Sequence, residues 1–197
     1  SYATEKPDGE RRRYGPIDPD SWAYLTGVKT YDYDLERGIE RILDELPAQP
    51  LNVTLTTTSL FEGEAEAFKQ QWESFGREAY QRCLSSGSID DKSFCPNVQI
   101  SITIKVTNFP DTSDFELLLI GQETPADPDQ YHLWHSEQST NFTGYKNIRI
   151  DSLLENGRQI FDQRERTEQY QEFQQFFLED APAIFVRHLE TYSVTRK

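Results

Sequence analysis

Three histidines, His132, His135 and His188, are the first residues to weigh as a chemical group, because imidazoles three apart on one helical turn can chelate a metal. No carboxylate completes a metal-ligand spacing around them and no HExxH motif is present, so loop histidines bonded to backbone are the commoner arrangement and no metal site is expected. Asp127 and Asp129 are close enough in sequence for paired acid–base work, yet Asp-Pro-Asp is foremost turn chemistry. A nucleophile elbow, a phosphate-binding loop, a dinucleotide fingerprint and a cysteine in a reactive setting are all missing. The expectation is a protein that is not an enzyme, with no catalytic residue and no cofactor.

The recognition chemistry concentrates in one stretch, ADPDQYHLWHSEQSTNFTGYKN, residues 126–147, which has neither helical nor strand period. Trp134 offers a broad apolar face with one N–H donor, and Gln130, His135, Gln138 and Asn141 add donors and acceptors suited to a polar ligand. For each of these residues the competing reading is that it pins the segment to its own domain, Trp134 and Tyr131 above all.

Elements must hold that stretch in place. Residues 1–30 are rich in Pro, Gly and Asp and read as an irregular arm anchored by Trp22 and Tyr24. Asp34 can cap a helix carrying Leu35, Ile39, Ile42, Leu43 and Leu46, which Pro47 stops. LNVTLTTT alternates like a half-buried strand. Residues 64–84 place Phe68, Trp72, Phe75, Ala79 and Cys83 on one helical face, a core stripe. NVQISITIKV is the clearest strand, and the nearly all-apolar FELLLIG reads as a central strand covered on both faces. The long segment leaves from its end, where open α/β sheets bind ligands. Asn147 can cap a helix with Ile150, Leu153, Leu154 and Phe161, and Asp162 another with Tyr170, Phe173, Phe176 and Phe177, ended by Pro182. One or two closing strands are expected in AIFVRHLETYSV. The alternation predicts an α/β fold, a mixed sheet flanked by helices, within a single domain 1–197.

The totals narrow the partners. With 20 Lys+Arg against 34 Asp+Glu the net charge is −14, a field that repels nucleic acid and anionic lipid. The cluster Arg11, Arg12 and Arg13 reads as a solvated segment. No run reaches the roughly 18 to 20 apolar residues of a membrane span, and a start at SYATEKPDG without Met suits a piece of a longer protein. Cys83 and Cys95 are too far apart for a redox CxxC and lack zinc partners. They are either free thiols or, in an oxidising compartment, a bridge worth about 2 to 3 kcal/mol.

The segment FELLLIGQETPADPDQYHLWHSEQSTNFTGYKN, the helix IDSLLENGR, the helix ending LEDAPAI, and the front GPIDPDSWAY with VKTYDYDLERGIERILDEL together resemble family 5 extracellular solute-binding proteins, the peptide-binding components of ABC importers. The resemblance is to the second lobe only. It implies one lobe of a periplasmic-binding-protein type II-like fold, with residues 1–30 near the hinge and residues 121–147 on the ligand side. It further implies an extracytoplasmic monomer, free in a periplasm or lipid-anchored, whose partners are a peptide or small polar solute, a membrane permease and a first lobe of the same protein. Peptide binders of this family place an Asp a few residues after the strand-ending Gly. Here Gly121 is followed by Gln122 where Trp is usual, and Thr124 or Pro125 holds the aligned place, leaving Glu123 or Asp127 to substitute. The implied ligand contacts are Gln122, Glu123, Asp127, Gln130, Trp134 and His135. The other reading is an extracytoplasmic interaction module that keeps the lobe without transport.

Overall fold

The computed structural model describes residues 15–28, 30–31, 33–87, 91–123 and 126–187. They gather into two compact units: Tyr33–Gln122, and the described residues of Ser1–Asp32 with Glu123–Lys197.

In the first unit, α1 (Leu35–Asp44) starts where the Asp34 side chain accepts the Arg37 N–H, and it buries Ile39. Strand β1 (Leu51–Thr57) leads through a 3-10 turn, Ser59–Phe61, into the long helix α2 (Glu62–Ser85). A second 3-10 segment, Lys92–Val98, precedes β2 (Ile100–Val106), and β3 (Leu117–Leu119) follows. Ile39, Ala79 and Val98 form a core between α1, α2 and the second 3-10 segment, with Leu43, Phe75 and Tyr80 packed around it. The helix α2 runs very close to the start of β2: a Cβ on Gly76 would stand 2.7 Å from the Ile100 amide nitrogen, so only glycine permits the approach.

The sheet order is β2-β1-β3 and both pairings are parallel. Helices pack on a parallel sheet, as an α/β fold requires, and every pairing among the described residues is parallel. Among the described residues the apolar FELLLIG run is not the central strand: its Leu117–Leu119 part pairs there with β1 alone, and all three leucines are half-buried, whereas the threonine-rich β1 lies in the middle. Position in a sheet follows from which backbones pair, and a threonine strand satisfies two neighbours as well as a leucine strand does.

Cys83 and Cys95 form a disulfide joining the last turn of α2 to the second 3-10 segment. Lys92 reinforces the joint by donating its ammonium to the Cys83 carbonyl at 3.0 Å, which also accepts the Ser86 amide, and to the Ser86 carbonyl at the helix end.

In the second unit, α3 is a single turn, Tyr131–Trp134. The Asn147 side chain accepts the Arg149 and Ile150 amides and starts α4 (Ile148–Gln159). Asp162 caps α5 (Gln163–Asp180), which ends at Ala181 in the left-handed region, φ 49°, just before Pro182. Phe161 belongs to neither helix. It sits between them with its ring wholly in solvent, because Gln159 already ends α4. The core joins Leu153 and Leu154 of α4 to Tyr170, Phe173 and Phe177 of α5, with Ile17 and Ala23 of the arm. Buried Gln174 ties the arm down, donating to the Ala23 carbonyl at 2.8 Å and accepting the Leu25 N–H at 3.2 Å. The described part of the tail, through Arg187, forms no strand, and the rest of the expected closing strands lies outside the described residues.

Candidate ligand-binding site

The 126–147 segment is stitched to its own unit almost residue by residue. Asp127 accepts the Asp129 amide and Asp129 the Tyr131 amide, two successive Asp turns that lead into α3. The Asp127 carboxylate meets Arg166 of α5 in a two-pronged pair at 2.7 and 2.8 Å, and that hydrogen bonding holds the carboxyl below its usual range. Arg166 uses its remaining donors on the Gly157 carbonyl and the Tyr170 hydroxyl. Asp127 therefore keeps its charge, but as a partner already taken.

Trp134 lies inside the core, 6% exposed, edge-on to Phe177 at 4.5 Å and to Phe185 at 6.4 Å. His135 is 4% exposed and stacks on Tyr131 at 4.3 Å. Its Nδ1 accepts the Glu137 amide, so the ring proton sits on Nε2 and points to Glu155 at 3.1 Å. Gln130 is buried as well. The Asn141 amide donates to the Tyr145 carbonyl, and Tyr145 and Asn147 both donate to Asp180 at the end of α5. Burial, and then the hydrogen bond to Asp180, push the Tyr145 hydroxyl well above its usual pKa.

Of the six residues expected to touch ligand, Gln130, Trp134 and His135 are thus packed into their own unit. The reason is physical: a broad apolar ring beside a phenylalanine-rich helix gains more from burial than from waiting in solvent. Gln122 and Glu123 stand exposed at the exit of β3, and Asp127 is exposed but paired. His132 points to solvent and His188 lies outside the described residues. Among the described residues no cluster of His, Cys, Asp or Glu is arranged to hold a metal.

A different set of residues comes together at the carboxyl ends of the strands. Thr57 pairs with Val106 on one side and Leu119 on the other, so the three strands finish level. Thr57 locks the edge, donating its hydroxyl to the Leu119 carbonyl at 2.9 Å while its own carbonyl accepts the Thr107 amide. Val106, the last residue of β2, is 41% exposed, and just beyond the strand ends lie Leu60, 72%, Phe109, 91%, and Ile120, 38%. Sequence reasoning missed this collar. Its one signal was a set of large apolar residues in turns, where no periodicity places them.

No family model matches the chain. The oligopeptide-binding protein AppA of Bacillus subtilis is 31% identical over 80 residues, which are 39% of this chain and 15% of that relative. The chain resembles part of the solute-binding proteins of ABC importers. The AppA structure, determined with a nonapeptide, superposes with a TM-score of 0.67 at 19% identity over 91% of this chain and 36% of AppA. DppA from Helicobacter pylori, a periplasmic binding protein solved with the peptide STSA, gives 0.69 at 22% identity over 90% of this chain and 33% of its own. NikZ from Campylobacter jejuni, in complex with Ni(L-His), gives 0.64 at 21% over 86% and 35%. The chain spans about a third of each of these structures, and the names of AppA and DppA describe binding proteins.

Proposed function

We propose that this chain is one ligand-binding lobe of an ABC importer's solute receptor, which captures peptides or similar polar solutes by closing against a first lobe and delivers them to a permease. The observation that carries the reading is the pattern of coverage: nine-tenths of this chain matches a third of AppA and of DppA, both solved with peptide. The exposed exits of the parallel strands support it, since open α/β sheets bind ligands beyond their carboxyl ends. Gln122 and Glu123, leaving β3, are the residues of the expected set best placed to meet a solute. Glu123 supplies the carboxylate for a ligand amine, while Asp127, Gln130, Trp134 and His135 hold the segment that follows. The buried disulfide suits an oxidising, extracytoplasmic location.

Closure raises affinity only when a ligand touches both lobes, so the chain alone binds peptides with dissociation constants of about 1 mM or weaker. Native mass spectrometry of the full-length gene product, purified without refolding, tests the whole proposal. A co-purified peptide or small polar solute is expected. A ligand-free protein that also fails to bind a mixed peptide pool overturns transport and leaves the interaction-module reading.

A further inference from the structure

A surface hollow of about 570 Å³ opens in the second unit beside the link between α4 and α5, a volume in the range of ligand pockets. Gln159 ends α4 and Asp162 caps α5, so Ile160 and Phe161 are held in the link, and the Phe161 ring stands wholly in solvent. Both residues line the hollow, and so does Trp22 of the arm, 37% exposed and fixed edge-on to Tyr170 at 6.2 Å. A second hollow shares Trp22 and Gln163 and continues along α5 past Thr167 to Gln171. Residues 163, 167 and 171 are four apart, so they stand in a row on one face of the helix, about 6 Å from each to the next.

The polar lining decides the class of ligand. Three cations line the two hollows and each faces a carboxylate: Arg166 pairs with Asp127 at 2.7 and 2.8 Å, Arg158 with Asp129 at 3.2 Å and Arg164 with Glu168 at 3.8 Å. With three positive groups matched by three negative ones, the walls carry no net charge and favour neither sign of ligand. The rest of the polar lining is neutral. The carboxamides of Gln163 and Gln171 donate and accept, and the Thr167 hydroxyl, whose proton goes to the Gln163 carbonyl at 2.7 Å, accepts. Aromatic rings beside such groups suit a molecule with one apolar face and a hydroxylated edge. A sugar ring is such a molecule, since its axial C–H groups lie on an aromatic face while its hydroxyls reach outward to donors and acceptors.

We propose that these adjoining hollows bind neutral carbohydrate, one pyranose ring stacking on Phe161 and the next reaching Gln163 and Gln171 beside Trp22. Every residue of this surface belongs to the second unit, and its ligand is independent of the solute expected at the strand exits.

The test is an NMR titration of the isotope-labelled 197-residue chain with the neutral disaccharides cellobiose, maltose and diacetylchitobiose. Sorbitol, a glucosamine dimer, a galacturonate dimer and the blocked peptide acetyl-Ala-Phe-Ala-amide are titrated beside them. At least one neutral disaccharide is expected to shift the Trp22 indole N–H and the amides of residues 160–171 with a dissociation constant of about 1 to 10 mM. Sorbitol, which has the hydroxyls but no ring face, should shift none of them, and the charged dimers and the peptide should bind no more tightly than the best neutral sugar. Phe161→Ser should weaken that sugar about fivefold without moving the urea midpoint, because the ring is in open solvent. Gln171→Ala should weaken it about threefold. No shift at these residues with any of the three disaccharides up to about 50 mM, or equal shifts with sorbitol, overturns the proposal. So does unchanged affinity in Phe161→Ser. Tighter binding of a charged dimer or of the peptide overturns the carbohydrate class, and none of these outcomes touches the solute-receptor reading, which stands or falls on the co-purified ligand.

Discussion

At the scale of single residues, burial separates the side chains that hold the fold from those free to meet a ligand. Trp134 belongs to the first group. Trp134→Ala should cost about 3 to 5 kcal/mol, read as a lower midpoint in urea, so a loss of ligand affinity in that variant reports folding before contact. Gln174 is a second anchor, since replacing it by Leu leaves the Ala23 carbonyl and the Leu25 N–H unpaired. A loss of about 1 to 3 kcal/mol is expected, with a larger increase in amide exchange in the arm than in α4. Asp127 gives a pH signature. Arg166 holds its folded pKa below the unfolded value, so the stability it contributes is present above about pH 4 and is lost as pH falls through the folded pKa. Urea titrations from neutral pH downward should therefore show wild type ahead of Asp127→Asn at pH 7 and level with it near the bottom of that window. Solvent screening keeps the difference small at this half-exposed pair.

At the scale of elements, close approach and cross-linking set the stability of the sheet unit. Gly76→Ala, which on an isolated helix gains a few tenths of a kcal/mol or more, should here lose about 1 to 3 kcal/mol, because the new methyl meets the Ile100 backbone rather than a yielding side chain. Reducing the Cys83–Cys95 bridge, or replacing both residues by Ser, should cost about 2 to 3 kcal/mol, checked by urea unfolding with and without reductant. The helices were legible because their signals are local. Asp34, Asn147 and Asp162 each sit in front of an apolar repeat, and each caps the helix expected of it. Strand rank was not legible, since FELLLIG and LNVTLTTT differ in composition but composition does not record which backbone pairs on two sides.

At the scale of the molecule, this chain covers about a third of structures determined with a peptide or with Ni(L-His). What residue types alone determined is considerable: an α/β fold, three capped helices, the acidic field, and a resemblance to solute-binding proteins carried by the order of its segments. These follow from short-range rules of spacing, capping and charge that a linear chain already obeys. Which polar and aromatic residues face outward was decided only by folding. Trp134 and His135 look like ligand contacts until Phe177, Tyr131 and Glu155 are brought beside them, and Leu60 and Phe109 look like turn residues until the strands end level. Exposure is a property of what packs against a side chain, and those neighbours come from distant parts of the chain.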